Sequence, residues 1–133
     1  MPEIIDSKNI SEFWTSERCF ILEILNDPAH PKSSLAVARV PPGVTTQLHR
    51  LNATEETYII KKGCGVLEID GAKSELKQSD AIIIPAGASQ RISNFGHEDL
   101  EFYCLCTPRF LPECYENLEL SLIHISEPTR LTR

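Results

Sequence analysis

The stretch GVTTQLHRLNATEETYIIKKG, residues 43–63, decides the fold because it contains two short strand-like runs bounded by glycine. Residues 56–62 (ETYIIKK) are rich in β-branched and aromatic side chains, which favour a half-buried strand. Residues 45–51 (TTQLHRL) alternate weakly between apolar and polar side chains, as a second strand would. Gly43 and Gly63 stand where the chain has to turn, and glycine reaches the positive φ that tight turns need. This stretch therefore predicts a pair of β-strands.

The same pattern of short apolar runs continues on both sides of residues 43–63. Clusters of Gly, Pro, Asn and Asp separate the runs at spacings of roughly eight to twelve residues, as in a β-sandwich or small barrel. The runs are residues 19–25, 34–40, 45–51, 56–62, 65–69, 81–85, 89–94 and 100–107. Asp70-Gly71 is the strongest hairpin signal, and only residues 10–15 suggest a turn of helix. We therefore predict an all-β chain, folded as a jelly roll or closed barrel that hides its strand edges.

Composition and charge describe an ordinary folded chain and exclude several classes of protein. Of the 133 residues, 41% are hydrophobic and 24% are charged, which is enough apolar surface to form a core, so disorder is excluded as the main state. The sequence contains no run of about eighteen apolar residues that could form a transmembrane helix. With a net charge of −6, the chain lacks the basic surface that nucleic-acid-binding proteins have, and an anionic membrane surface would repel the chain. We therefore expect neither a nucleic-acid partner nor a membrane partner.

The cysteines and the start of the chain indicate a reducing compartment. The number of cysteines, five, is odd, no Cys-x-x-Cys pair occurs, and the first residues show no apolar secretory segment. A disulfide framework is not expected, so we predict a cytoplasmic location. Cys104 and Cys106 lie two residues apart in a predicted strand, and we interpret them as small buried side chains on one face.

The last part of the chain requires separate treatment. Residues 120–130 (LSLIHISEPTR) resemble a translated sequencing adapter. Segments of that origin are excluded from reasoning about the fold. We therefore predict a single domain over residues 1–119, which contains the motif segments 43–63 and 80–94, and a non-native tail over residues 120–133.

Residues 80–94 (DAIIIPAGASQRISN) form a second pattern that pairs with residues 43–63. Together the two segments resemble the signature motifs of the cupin superfamily, a glycine-bounded motif with His and Glu followed by a Pro-x-Gly motif with a later Asn. In the second segment, Pro85, Gly87 and Asn94 fall at the matching positions. The resemblance implies a cupin double-stranded β-helix, which is a jelly-roll barrel, over most of the chain. It also implies a homodimer, since many small cupins dimerise.

The resemblance further implies where a metal would bind. Cupins typically hold one divalent metal with three His and one Glu. The corresponding positions here are His49, Leu51, Glu56 and Gln90. Leu51 cannot bind a metal, whereas Gln90 offers a carbonyl oxygen, which suits a hard divalent ion. We therefore predict that His49, Glu56 and Gln90, with water, ligate one divalent ion, and Mn, Fe, Ni and Zn are the candidates.

The polar residues of the predicted barrel suggest two kinds of function. Strand alternation places Glu56 and Tyr58 on one face, where both line a cavity with His49. A His near a carboxylate is a general base and a Tyr is a proton donor, so His49 and Tyr58 are the predicted catalytic residues. We expect a protein that binds a small polar molecule in the barrel as a metal-dependent enzyme of isomerase, dioxygenase or decarboxylase type, with a weakened metal centre. The alternative is a binding or sensor protein without metal or catalysis, and the fold does not select a substrate.

Overall fold

A computed structural model describes residues 3–119, and most of this part of the chain is β-structure. The adapter-like tail, residues 120–133, lies outside the described residues. Two short 3-10 helices are Ser7–Asn9 and Pro112–Cys114. The strands are β1 (Phe13–Trp14), β2 (Phe20–Leu25), β3 (Ser34–Val40), β4 (His49–Leu51), β5 (Glu55–Lys62), β6 (Cys64–Ile69), β7 (Ala72–Lys77), β8 (Ala81–Ile84), β9 (Gln90–Ser93), β10 (Leu100–Thr107) and β11 (Tyr115–Asn117). Within residues 3–119, no helix has the length and apolar character needed to cross a membrane.

The strands form two antiparallel sheets whose inner faces enclose the core. One sheet has the order β1-β2-β3-β10-β5-β8, and the other has the order β11-β4-β9-β6-β7. From β3 onward, successive strands cross from one sheet to the other except at the β6–β7 hairpin, as in a jelly roll. Along β10 and β5 every second side chain is buried, because alternate residues of a strand point to opposite faces. The prediction of an all-β jelly-roll fold is confirmed.

The hairpin predicted at Asp70-Gly71 joins β6 to β7. Ile69 pairs with Ala72 across it, and the two turn residues have φ values of 48° and 85°. Positive φ at both turn positions is the geometry of a tight two-residue hairpin that matches the twist of the strands. The following strand, β7, was not predicted because its sequence AKSELK is polar, and Leu76 is its one buried side chain.

The predicted turn of helix near residues 10–15 is wrong. The helical turn lies earlier, at Ser7–Asn9, where the Asp6 carboxylate accepts a hydrogen bond from the Lys8 amide. Residues 13 and 14 instead form β1, which pairs with β2 at the edge of the first sheet. A two-residue strand has no periodicity of its own, so only its pairing partner defines it.

The glycine at the end of the first motif is required by both its backbone angle and its surroundings. Gly63 joins β5 to β6 with φ +81°, and a Cβ atom there would lie 2.8 Å from the Asp99 carbonyl oxygen. Gly43, at the start of the motif, has φ +80°, but its Cβ would meet nothing within 4 Å. Gly43 is therefore required only for its backbone conformation, whereas Gly63 is required both for its conformation and for the close approach of Asp99.

One half of the barrel is filled by large apolar side chains, and we call it the packed half. It is defined by Val40, Ile60, Leu67, Ile92 and Leu100, each at most 2% exposed. These residues come from both sheets and belong to one continuous hydrophobic cluster. Removal of this apolar surface from water is the main stabilising contribution to such a fold.

Candidate functional site

The other half of the barrel contains a cavity because its inward side chains become smaller, and we call it the open half. The inward residues of β10 are, in order, Leu100, Phe102, Cys104 and Cys106. Their partners on β3 shrink in the same direction, from Val40 opposite Leu100 to Ser34 opposite Cys106. At the same end of the barrel, the inward residue of β5 is Glu56, which also pairs with Cys106. Small side chains on neighbouring strands leave space unfilled, and a cavity of about 330 Å³ results.

His49 lies in the wall of this cavity with one ring nitrogen available. The residue is buried, and its Nδ1 atom is 2.7 Å from the carbonyl oxygen of Gln47. Nδ1 therefore carries the proton in the neutral ring and donates it to that carbonyl, which leaves Nε2 as an acceptor. The ring stacks on Tyr115 with centroids 4.7 Å apart, and the Tyr115 hydroxyl donates to the Gln47 side chain at 2.6 Å. These contacts fix the orientation of the imidazole.

Glu56 lies in the same wall and is incompletely satisfied. Its side chain is 7% exposed, and Oε2 accepts a weak hydrogen bond from the Cys106 thiol at 3.7 Å. Oε1 is buried without a hydrogen-bond partner among the described residues. Burial raises the pKa of the Glu56 carboxyl to about 7, and the nearby Gln90 amide and Cys106 thiol oppose the rise. The Gln90 amide and the Cys106 thiol partly stabilise the charged form, and Oε1 makes no hydrogen bond of normal geometry among the described residues.

Tyr58 and Gln90 form a buried pair next to Glu56. The Tyr58 hydroxyl donates to Gln90 Oε1 at 2.7 Å, and the Tyr58 ring packs against Phe102 with centroids 4.4 Å apart. Burial holds the pKa of Tyr58 well above its usual range, so the phenol keeps its proton. Tyr58 lines the cavity, and Gln90 is buried against it. The structure thus brings together the predicted residues His49, Glu56 and Tyr58 at one cavity, with Gln90 adjoining Tyr58.

A further carboxylate, which sequence reasoning missed, faces His49. Glu17 lies in the loop between β1 and β2, and its Oε2 atom is 3.7 Å from His49 Nε2. Burial raises the pKa of Glu17, while His49 opposes the rise and Glu56 adds to it. The two carboxyls are therefore close enough to interact electrostatically. Glu17 lies outside both motifs, and nothing in its local sequence distinguishes it from a surface residue.

The backbone around Glu17 is held by contacts with distant parts of the chain. The Glu17 carbonyl accepts a hydrogen bond from the Gln47 amide at 3.0 Å. The backbone of Arg18 has a φ of 71°. Its Nε atom donates a hydrogen bond to the Thr45 carbonyl at 2.9 Å. The other two guanidinium nitrogens donate to the two carboxylate oxygens of Glu119 at 3.2 and 2.6 Å. The left-handed conformation of Arg18 is rare for a non-glycine residue, and these contacts hold it in place. They direct Glu17 toward the cavity.

The donor groups do not fit the metal site that the cupin resemblance implies. Leu51 is buried in the cavity wall at the position of one histidine, and Gln90 Oε1 already accepts the Tyr58 hydroxyl. Burial also raises the pKa of the cavity-lining thiols of Cys104 and Cys106, which disfavours thiolate ligands. Among residues 3–119, no three His, Cys, Asp or Glu side chains are arranged to share one ion. We therefore derive no chemical step through a metal, and the ligand set His49, Glu56 and Gln90 stays a prediction.

Comparison with known proteins agrees with the fold and with the motifs. A family model described as "Cupin domain" matches residues 36–106. An uncharacterized protein of Methanocaldococcus jannaschii is 36% identical over 112 residues, which is 83% of this chain and 90% of that protein. An oxalate-binding protein of Thermotoga maritima is 36% identical over 74 residues, 55% of this chain and 61% of that protein. The crystal structure of a predicted oxalate decarboxylase from Thermotoga maritima has a TM-score of 0.73 and 27% identity, covering 80% of this chain and 99% of that one.

The family match extends from β3 to β10, so it includes His49, Glu56, Tyr58 and Gln90 but ends before Tyr115. Glu17 also lies outside it. The chain belongs to the cupin family.

Proposed function

We propose that this cupin binds a small polar molecule in the cavity of the open half, with His49 and Glu56 at the polar end of the site. The observation that carries the proposal is the Glu56 carboxyl, which lines a cavity of about 330 Å³ and whose Oε1 atom is buried without a hydrogen-bond partner among the described residues. A buried polar atom without a partner costs free energy, and a bound molecule that donates a hydrogen bond removes that cost. The cavity size falls within the range of about 300–1,000 Å³ that is usual for small-molecule sites.

The same residues have the chemistry for proton transfer. Glu56, with its pKa raised to about 7, is populated in both protonation states near neutral pH, which suits a general acid or base. His49 Nε2 is an acceptor whose ring is fixed by Gln47 and Tyr115. Tyr58 retains its proton, and its hydroxyl donates a hydrogen bond to Gln90, so we propose that it holds Gln90 and the cavity wall in place and does not release a proton.

A screen of small polar molecules by thermal shift tests the proposed binding. Oxalate belongs in the screen because the names 'oxalate-binding protein' and 'predicted oxalate decarboxylase' occur among the proteins that this chain resembles. A compound that binds in the cavity raises the Tm of the wild-type protein, and the shift is lost in Glu56→Gln and His49→Ala. Glu55→Gln and His97→Ala are matched controls, since both residues are exposed on the surface. Shifts that persist in the two cavity variants would contradict binding at this site.

The metal-dependent enzyme is the second candidate, and one observation favours it. The Nδ1 contact of His49 with a backbone carbonyl is an arrangement commonly seen in metal-binding histidines, because it directs Nε2 to the ion. Protein stripped with chelator and then supplied separately with Mn, Fe, Ni or Zn distinguishes the two candidates by metal analysis after dialysis. Stoichiometric retention that disappears in His49→Ala supports the metal enzyme. Absence of retention with all four ions leaves binding or catalysis without a metal.

We further propose a single domain over residues 1–119, a homodimer and a cytoplasmic location. Sedimentation analysis of a chain ending at residue 119 addresses the first two, because a folded dimer and a folded monomer differ twofold in mass. Localisation of the tagged protein in its host addresses the third.

A further inference from the structure

The ionisable side chains that line the cavity are predominantly acidic. Glu17, Glu23 and Glu56 contribute carboxyls. Across residues 3–119, neither a lysine nor an arginine lines the cavity, and His49 is its sole basic residue. A carboxylate ligand would therefore meet like charges in a partly desolvated site, without a fixed cation to offset them.

Two of these carboxyls have acceptor capacity for a ligand. Glu56 is more than nine-tenths buried, and its Oε1 atom has no hydrogen-bond partner in the described chain. Glu17 Oε2 is 3.7 Å from His49 Nε2, which is longer than a normal hydrogen bond. The repulsion between the two carboxyls and the cost of their burial would both fall if a positively charged donor lay near them.

The remaining wall of the cavity is rich in aromatic rings. Phe13, Phe102, Phe110 and Tyr115 all line it. Aromatic faces pack against apolar groups and also attract cations through the ring quadrupole. The cavity therefore combines an acidic end with walls suited to an apolar body.

We propose that the ligand is a small organic amine with an apolar body, whose ammonium group donates hydrogen bonds to Glu17 and Glu56. This inference rests on the proposed function, since it requires the cavity to be a binding site. It adds the chemical class of the ligand and assigns Glu17, which is outside the cupin motifs, as the residue that selects for positive charge.

Matched pairs of probes test the class of ligand. Calorimetric titrations of the wild-type full chain at pH 7, with EDTA present to remove metal ions, compare benzylamine with benzoate and phenethylamine with phenylacetate. Benzyl alcohol is the neutral member of the series. We expect each amine to bind at least about tenfold more tightly than its carboxylate partner, because charge-assisted hydrogen bonds contribute more than neutral ones.

The outcomes separate this inference from the proposed function. Carboxylates that bind as tightly as the amines overturn the amine class but leave the cavity as a binding site. If no amine binds, the inference also fails, and the broader thermal-shift screen then decides whether the cavity binds any small molecule.

The role of Glu17 has its own test. Glu17→Gln is expected to weaken amine binding about tenfold, while benzyl alcohol binds as before. Glu55→Gln is the matched control, because it removes a carboxylate from the exposed face of β5. Circular dichroism establishes that each variant is folded. Unchanged amine affinity in folded Glu17→Gln would overturn the assignment of Glu17.

Discussion

The packed half and the open half of the barrel share the same strands but differ in the size and polarity of their inward side chains. On β5, Ile60 in the packed half and Glu56 in the open half are only four residues apart and point to the same face. On β10 the change runs from Leu100 to Cys106. The packed half buries large apolar side chains, whereas the open half buries small and polar side chains beside its aromatic rings. Stability and the proposed binding thus fall in different layers of one fold, and substitutions in the two halves should have opposite consequences.

The largest effect is expected from a truncation in the packed half. Leu67 is fully buried, so Leu67→Ala removes apolar contacts and leaves a cavity that the surrounding strands fill only in part. We expect a loss of about 3–5 kcal/mol in the free energy of unfolding, measured by urea denaturation. Binding in the open half should remain unchanged wherever the variant is folded. Ile92→Val is a milder variant at a buried neighbouring site, with an expected loss of about 1 kcal/mol.

A polar substitution in the open half should act in the opposite direction. The folded protein holds the pKa of Glu56 at about 7, above its ordinary value of 4.5, so the unfolded chain loses this proton first as the pH rises. The stability contribution of Glu56 is therefore fully present below pH 4.5 and is lost as the pH rises to about 7. Glu56→Gln should raise the free energy of unfolding by up to about 3 kcal/mol at pH 8 and have little effect at pH 4.5.

Urea denaturation of wild type and Glu56→Gln across pH 4.5–8 measures this difference. The raised pKa of Glu17 gives a slope of the same sign, which remains in the variant. Glu55→Gln controls for a change of one charge on the same strand, and its stability should follow the wild-type curve. A Glu56→Gln variant that is less stable than wild type at pH 8 would mean that the carboxylate has a stabilising partner.

The smallest effect is expected for two ion pairs at the surface, next to the open half. Arg18→Ala removes the two-pronged ion pair with Glu119, whose side chains are partly exposed to solvent. Exposed ion pairs contribute little, so we expect a loss of about 1 kcal/mol or less, measured by thermal denaturation at low salt. Arg50→Ala removes a longer contact, 3.9 Å to Glu116, and should have a smaller effect still. A loss of stability in Arg18→Ala as large as that in Leu67→Ala would contradict the expectation that a partly exposed ion pair contributes little.

Much of the fold was predictable because the relevant signals are local. Strand β3 and strand β10 begin and end where the apolar runs do, and Asp70-Gly71 specifies its hairpin through backbone conformation alone. The shared faces of His49 with Leu51 and of Glu56 with Tyr58 follow from strand alternation. Strand β7 was missed because a polar strand on one side of a hairpin has no apolar periodicity.

The candidate site was less predictable because it depends on contacts between distant segments. Glu17 comes from a loop that precedes the first motif, and the backbone of Arg18 has a conformation that its residue type does not indicate. The cavity itself arises from the coincidence of small side chains on neighbouring strands, Cys106 beside Ser34, whose pairing only the structure shows. Cys104 and Cys106 are buried as predicted, and their small size also leaves room for the cavity.

The contact between Arg18 and Glu119 also bears on how the barrel forms and opens. It joins residues 101 positions apart, while the packed half is held by its own dense core. Closing so long a loop is entropically costly, and segments with few buried apolar contacts open at lower free energy than a core does. The side of the cavity that Glu17 forms should therefore be completed late in folding and should open by local unfolding of the segments that Arg18 and Glu119 join. A bound ligand would then appear in hydrogen exchange as protection of the amides of Gln47, Leu48 and Leu118, which link the segments around Glu17 and Glu119 to the loop before β4.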